Sequence, residues 1–186
     1  MSYQNITTLL RSIVDNEFNK RNSILNTDCE KALSILAANG LASSGVAVTT
    51  ITNLCNSDLS ERIHFIYENL KKIIEAKNIS YDHGLHSKAK ELVIELSKTA
   101  KDECLKAGSE IITRINKGSV EGYTQITDQK YQSELQEVLF EMEIYFDELK
   151  NKTIFTIKGW LKKNATSIIL IIIAAIVGYM FDKIPF

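Results

Sequence analysis

The side chains best suited to nucleophilic, acid–base or metal chemistry are three cysteines, Cys29, Cys55 and Cys104, and three histidines, His64, His83 and His86. The cysteines are odd in number, widely separated and never in a CxxC pair, so neither a disulfide framework nor a zinc module is indicated; they read as small buried hydrophobes. Tyr81-Asp82-His83-Gly84-Leu85-His86 gathers one carboxylate and two imidazoles. Gly84 interrupts the helix that would set both histidines on one face, and no HExxH pattern accompanies them, so the segment reads as a polar loop leading into a helix cap. There is no glycine-rich phosphate loop, GxSxG elbow or kinase-type motif. The sequence therefore offers no catalytic residue, cofactor-binding residue or metal ligand, and an enzyme is not expected. With 22 basic and 23 acidic side chains and a net charge of -1, it also lacks the cationic excess that neutralises phosphates, so no nucleic-acid partner is expected, and no small-molecule substrate is evident.

The elements that would position any function are helices. The 186 residues include one proline, at position 185, and eight glycines, so almost nothing breaks a helix, and an all-α chain follows. Ile6, Leu9, Leu10, Ile13 and Phe18 predict a helix over 4–20. A second is expected from Thr27, whose Thr-Asp-Cys-Glu reads as a capping box, to Asn39-Gly40. After the cap-like Asn56-Ser57-Asp58, the spacing of Leu59, Ile63, Ile66, Leu70 and Ile73 predicts a helix to about Lys77. Ala89, Val93, Leu96, Ala100, Cys104, Ala107, Ile111 and Ile115 trace a further long helix, ended by Gly118. Leu135, Leu139, Met142, Phe146 and Leu149 form a coiled-coil-like seam on a last helix from about Tyr131, and they are the candidate assembly seam, to be buried on the body or on a second copy.

That last helix can run on into a membrane span, since no proline intervenes and Gly159 alone is a weak breaker. No charge occurs between Lys163 and Asp182, 18 positions or about 27 Å of helix, against a hydrocarbon core of about 30 Å. Ile168, Ile169, Leu170, Ile171, Ile172, Ile173, Ile176 and Val177 each favour insertion by about 0.3 to 0.6 kcal/mol, together about 3 to 5 kcal/mol. Lys158, Trp160, Lys162, Lys163 and Tyr179 are the expected interfacial anchors. No secretory signal is visible at the start, and five lysines from Lys150 to Lys163 precede the span while Lys183 alone follows it. The body is thus expected on the cytosolic side of a single-pass, tail-anchored protein, with its short tail opposite.

The expected organisation is a cytosolic helical bundle over 1–118, a stalk or juxtamembrane helix over 119–163, and a transmembrane anchor over 164–186. Charge is segregated along the stalk: Glu121 to Glu148 carries a local net charge of -7, and the lysine collar that follows suits an anionic leaflet. Residues 32–57 hold no charge at all. They predict a helical hairpin, with small residues that permit close helix approach; a sharper reading makes Val46, Val48, Ile51 and Leu54 a conditional membrane segment. Amphipathic helices around such a hairpin, with a C-terminal span, resemble in arrangement the Bcl-2-type and α-helical pore-forming proteins, although the Asn-Trp-Gly-Arg element is missing and Trp160 sits in the collar. The sequence thus points to a tail-anchored protein acting through protein contacts or self-assembly at a bilayer. The alternative is a pore-forming effector of the toxin or cell-suicide type, using 32–57 together with the span.

Overall fold

Between Tyr3 and Ala38 the sequence contains neither glycine nor proline, and the backbone takes a single helix across the whole interval. The computed structural model describes residues 3–116 and 119–181, with side chains for 4–116, 119–154, 160 and 164. Among the described residues the chain forms four helices and no strand: α1 (Tyr3–Ala38), α2 (Gly45–Ala76), α3 (His83–Ile115) and α4 (Val120–Phe181). The expected all-α bundle is a four-helix bundle. α2 and α3 make its central pair, with α1 packed against both and α4 packed against both.

Two turns share one design. Gly40 takes φ 72°, Leu41 N–H donates to Leu36 O at 2.8 Å and Gly40 N–H to Ala37 O at 3.0 Å, so a Schellman motif closes α1 at the expected stop. Asn78, at φ 48°, does the same for α2, with Ile79 N–H donating to Ile74 O at 3.1 Å and Asn78 N–H to Glu75 O at 3.0 Å. These turns lie at opposite ends of the bundle. Tyr81 N–H donates to Thr153 Oγ1 at 3.2 Å, which puts the α2–α3 turn beside the lower part of α4. At the other end Arg114 pairs with Glu30, near the α1–α2 hairpin.

Three expected boundaries move. Thr27 caps nothing: its hydroxyl donates to Ser23 O at 2.8 Å inside α1, so the two expected helices are one. Asn56-Ser57-Asp58 is likewise interior, because α2 begins eleven residues before Asn56, at Gly45. α4 begins at Val120 rather than near Tyr131. Its first turn is fixed by Tyr123, a buried ring whose hydroxyl donates to Cys104 O at 2.6 Å. Gly108 makes room for it, since a Cβ there would lie 2.2 Å from the Tyr123 oxygen. Residues 119–153, expected with the stalk, therefore belong to the bundle.

The apolar stripes read from the sequence do form the core. Leu59, Ile63, Ile66, Leu70 and Ile73 are buried, as are Ala89, Val93, Leu96, Ala100, Cys104 and Ile111. Leu135, Met142 and Phe146 are buried, and Leu139 and Leu149 pack against the same cluster. The candidate assembly seam is thus closed within this chain.

At 62 residues α4 is about 93 Å long, against about 48 Å for α2, so its lower part outruns every helix that could accompany it. Among the described residues no helix is long and apolar enough to cross a membrane. The expected span, Ile168 to Val177, lies outside the described side chains, as do Lys158, Lys162, Lys163 and Tyr179.

Candidate functional site

The most elaborate polar arrangement is in the interior, centred on Arg62 of α2, which is 0% exposed. Its Nε donates to Asp58 Oδ2 at 2.6 Å, Nη1 to Glu103 Oε2 at 2.7 Å and Nη2 to Asn22 Oδ1 at 2.8 Å, and its guanidinium carbon lies 4.9 Å from the centre of the Phe18 ring. Asp58 also accepts from Arg21 Nη1 at 3.3 Å, and Arg21 reaches Glu61 at 2.7 Å and Glu17 at 3.0 Å. Residues of α1, α2 and α3 thus share one layer, in which two arginines donate to four carboxylates and one amide oxygen. Such a layer fixes the register of three helices, because any slip would leave a buried charge without its partner.

The cysteines gather near this layer. Cys29 and Cys55 are close enough to perturb each other, and Cys104 Sγ lies 3.7 Å from Asp58 Oδ2. All three are buried and free. The contact with Cys55, followed by burial, pushes the Cys29 thiol up, and burial pushes Cys104 up, so both are held as thiols rather than as reactive thiolates. Sequence spacing indicated their burial but not their convergence, which depends on how three separate helices cross.

In the Tyr81–His86 segment Asp82 is the N-cap of α3 and His83 is exposed. His86 stacks on Phe146 with ring centroids 4.5 Å apart. Its Nε2 lies 3.2 Å from Glu143 Oε2, close enough for an ion pair when the imidazole is protonated though not aligned as a hydrogen bond. A bond from Lys90 Nζ at 2.8 Å holds the Glu143 carboxyl below the usual carboxylate range. The two histidines do not converge on a common point.

His64, Glu134 and Glu137 do bring three ligand-type atoms within 4.8 Å of one another, a grouping that sequence reading missed because 70 residues separate the first two. Glu134 is already engaged, by Lys130 Nζ at 2.5 Å, Ser60 Oγ at 2.7 Å and His64 Nε2 at 3.1 Å. Lys130 supplies the positive charge that an ion would bring, so the trio reads as a structural bridge between α2 and α4. Burial works to raise the Glu134 pKa, and the hydrogen bonds from Lys130 and Ser60 outweigh it, leaving the carboxyl below its ordinary range.

The candidate membrane segment is divided. Ile51 is fully buried and Val48 and Leu54 are half-buried against the core, whereas Val46 is 53% exposed. Residues 32–57 form the end of α1, the turn and the start of α2, at the end of the bundle away from Thr153. Trp160, the expected anchor whose side chain is described, is 60% exposed. Comparison with protein families, curated proteins and solved structures finds no match for the chain.

Proposed function

We propose that the chain is a tail-anchored, single-pass membrane protein whose four-helix bundle faces the cytosol and works through protein contacts at the membrane surface. The observation that carries this reading is the continuity of α4, which packs as the fourth helix of the bundle and then runs on without a break to Phe181. The part that outruns the bundle coincides with the lysine collar and the uncharged stretch that follows it. A helix satisfies its own backbone groups, as a lipid-facing segment must, and the collar in front of it suits the cytoplasmic leaflet. The contact half of the proposal is supported by what the bundle leaves uncovered: Phe140 and Ile144 on α4, and Ile35, Leu41 and Val46 around the α1–α2 hairpin, are large apolar side chains open to solvent.

The pore-forming alternative has less support. The segment it requires lies at the far end of the bundle from the stalk, about 50 Å away if the helices run its full length. Ala47, Ile51 and Cys55 would have to leave the core for it to insert.

Carbonate extraction and flotation of vesicles carrying the full chain test the proposal. Retention in the floated membrane, and release after truncation before Asn164, are the expected results. Release of the intact chain by carbonate would sink the anchor. Dye leakage from vesicles that is abolished by Val46→Asp, with fold and anchoring retained, would favour the pore instead.

A further inference from the structure

From Asp128 onward the carboxylates of α4 fall into two groups. Asp128, Glu134 and Glu143 are engaged by Lys101, Lys130 and Lys90. Glu137, Glu141, Asp147 and Glu148 form no ion pair among the described residues. Phe140, 68% exposed, and Ile144, one turn further, stand between them. At a spacing of four they make a short apolar ridge along the helix.

Beside this ridge runs a groove between α2 and α4, lined by Glu68 and Lys71 and by Glu141, Ile144, Tyr145 and Glu148. Its three carboxylates face a single lysine. Lys71 pairs with none of them; its Nζ lies 5.7 Å from the centre of the Tyr145 ring. The Tyr145 ring forms part of the groove wall; its side chain is 8% exposed, and its hydroxyl lies out of solvent reach with no hydrogen-bond partner among the described residues. Burial first, then Glu141, pushes Tyr67 up to about 12, and burial first, then Glu75, pushes Tyr145 up to about 12.

Charge decides which occupant fits. Symmetric pairing with a second copy would set Glu137, Glu141, Asp147 and Glu148 against themselves, which repels. A cationic partner meets the opposite situation. Below the ridge the sign reverses at Lys150 and Lys152, which bounds the acidic patch to about three turns of α4.

We propose that the α2–α4 groove and the Phe140–Ile144 ridge dock a basic amphipathic helix of a partner protein, with a lysine or arginine seated among Glu68, Glu141 and Glu148. The partner's apolar stripe covers the ridge, and the seated cation donates hydrogen bonds to the groove carboxylates. This deepens the contact half of the function proposed above and rests on it.

The test uses the full chain in nanodiscs of zwitterionic phosphatidylcholine, with a fluorescent leucine–lysine amphipathic peptide as probe, empty discs as blank and a leucine–glutamate analogue as control. Anisotropy should show saturable binding of the basic peptide alone. Binding should weaken about tenfold in Phe140→Ser and in the Glu141→Gln, Glu148→Gln double variant. Affinity unchanged in both variants, or equal binding of the acidic analogue, overturns the docking site. Sedimentation showing a dimer that Phe140→Ser dissolves, without peptide binding, gives the face to a second copy and also overturns it. A chain that binds the peptide but does not co-elute with the discs sinks the anchor alone, whereas one that co-elutes and ignores the peptide sinks only the docking site.

Discussion

Two polar regions of the bundle invite comparison: the Arg62 layer between α1, α2 and α3, and the groove between α2 and α4. Both place carboxylates beside a basic residue and a buried ring. In the first, each nitrogen of Arg62 has a named partner. In the second, one lysine faces three carboxylates and the Tyr145 hydroxyl has nothing to bond. The difference separates polar groups that hold a fold from polar groups that the fold leaves open. A satisfied interior network costs stability when any member is removed; an unsatisfied one costs stability while it remains.

Breaking the first region should give the largest effect. Arg62→Met leaves Asp58 and Glu103 without their shared cation and should destabilise the bundle by about 3 to 5 kcal/mol in urea unfolding. Adding Asp58→Leu and Glu103→Leu should recover much of that loss, since an apolar layer of similar volume replaces the charges. No recovery would mean that the layer matters for packing rather than for charge.

Two of the buried tyrosines, Tyr123 and Tyr145, sharpen the contrast at a smaller scale. Tyr123→Phe removes a hydroxyl that donates to Cys104 O and should cost about 1 kcal/mol in the same measurement. The acid limb of stability tests a third contrast, within α4 itself. The folded pKa of Glu134 lies below its ordinary value of 4.5, so its contribution is complete above that value and is lost as pH falls through the folded one. Glu134→Gln should therefore flatten the fall in melting temperature measured below the same pH. The smallest effect should come from Tyr145→Phe, which removes a hydroxyl with no partner and should leave melting unchanged or raise it slightly. A clear loss there would show that the hydroxyl is satisfied in solution and would erase the difference between the two regions.

Much of the bundle was legible in the chain. The periodic stripes from Leu59 to Ile73 and from Ala89 to Ile111 identified core faces directly, and Gly40 marked a true helix end. The misplaced boundaries share a cause. Around Arg21, Asn22 and Asp58 the apolar rhythm stops, and polar residues there resemble loops and caps. They belong to helices because the interior at that level is itself polar. No local pattern announces this, since the partners lie on three helices. The acidic run of α4 was equally plain, but not its division into engaged and open carboxylates, which depends on Lys90 and Lys101 from α3. Gly108 gave no sequence signal of its role either; the reason is a ring that arrives fifteen residues later.

Val120 and Phe181 belong to one uninterrupted α4, so the azimuth of the bundle is geared to that of the stalk below it. One residue inserted between Trp160 and Asn164 would turn the upper body by about 100° relative to the lower end while raising it about 1.5 Å. Seven inserted residues would restore its bearing to within about 20° yet lift it about 10 Å. Height and heading can therefore be varied almost separately along this one helix.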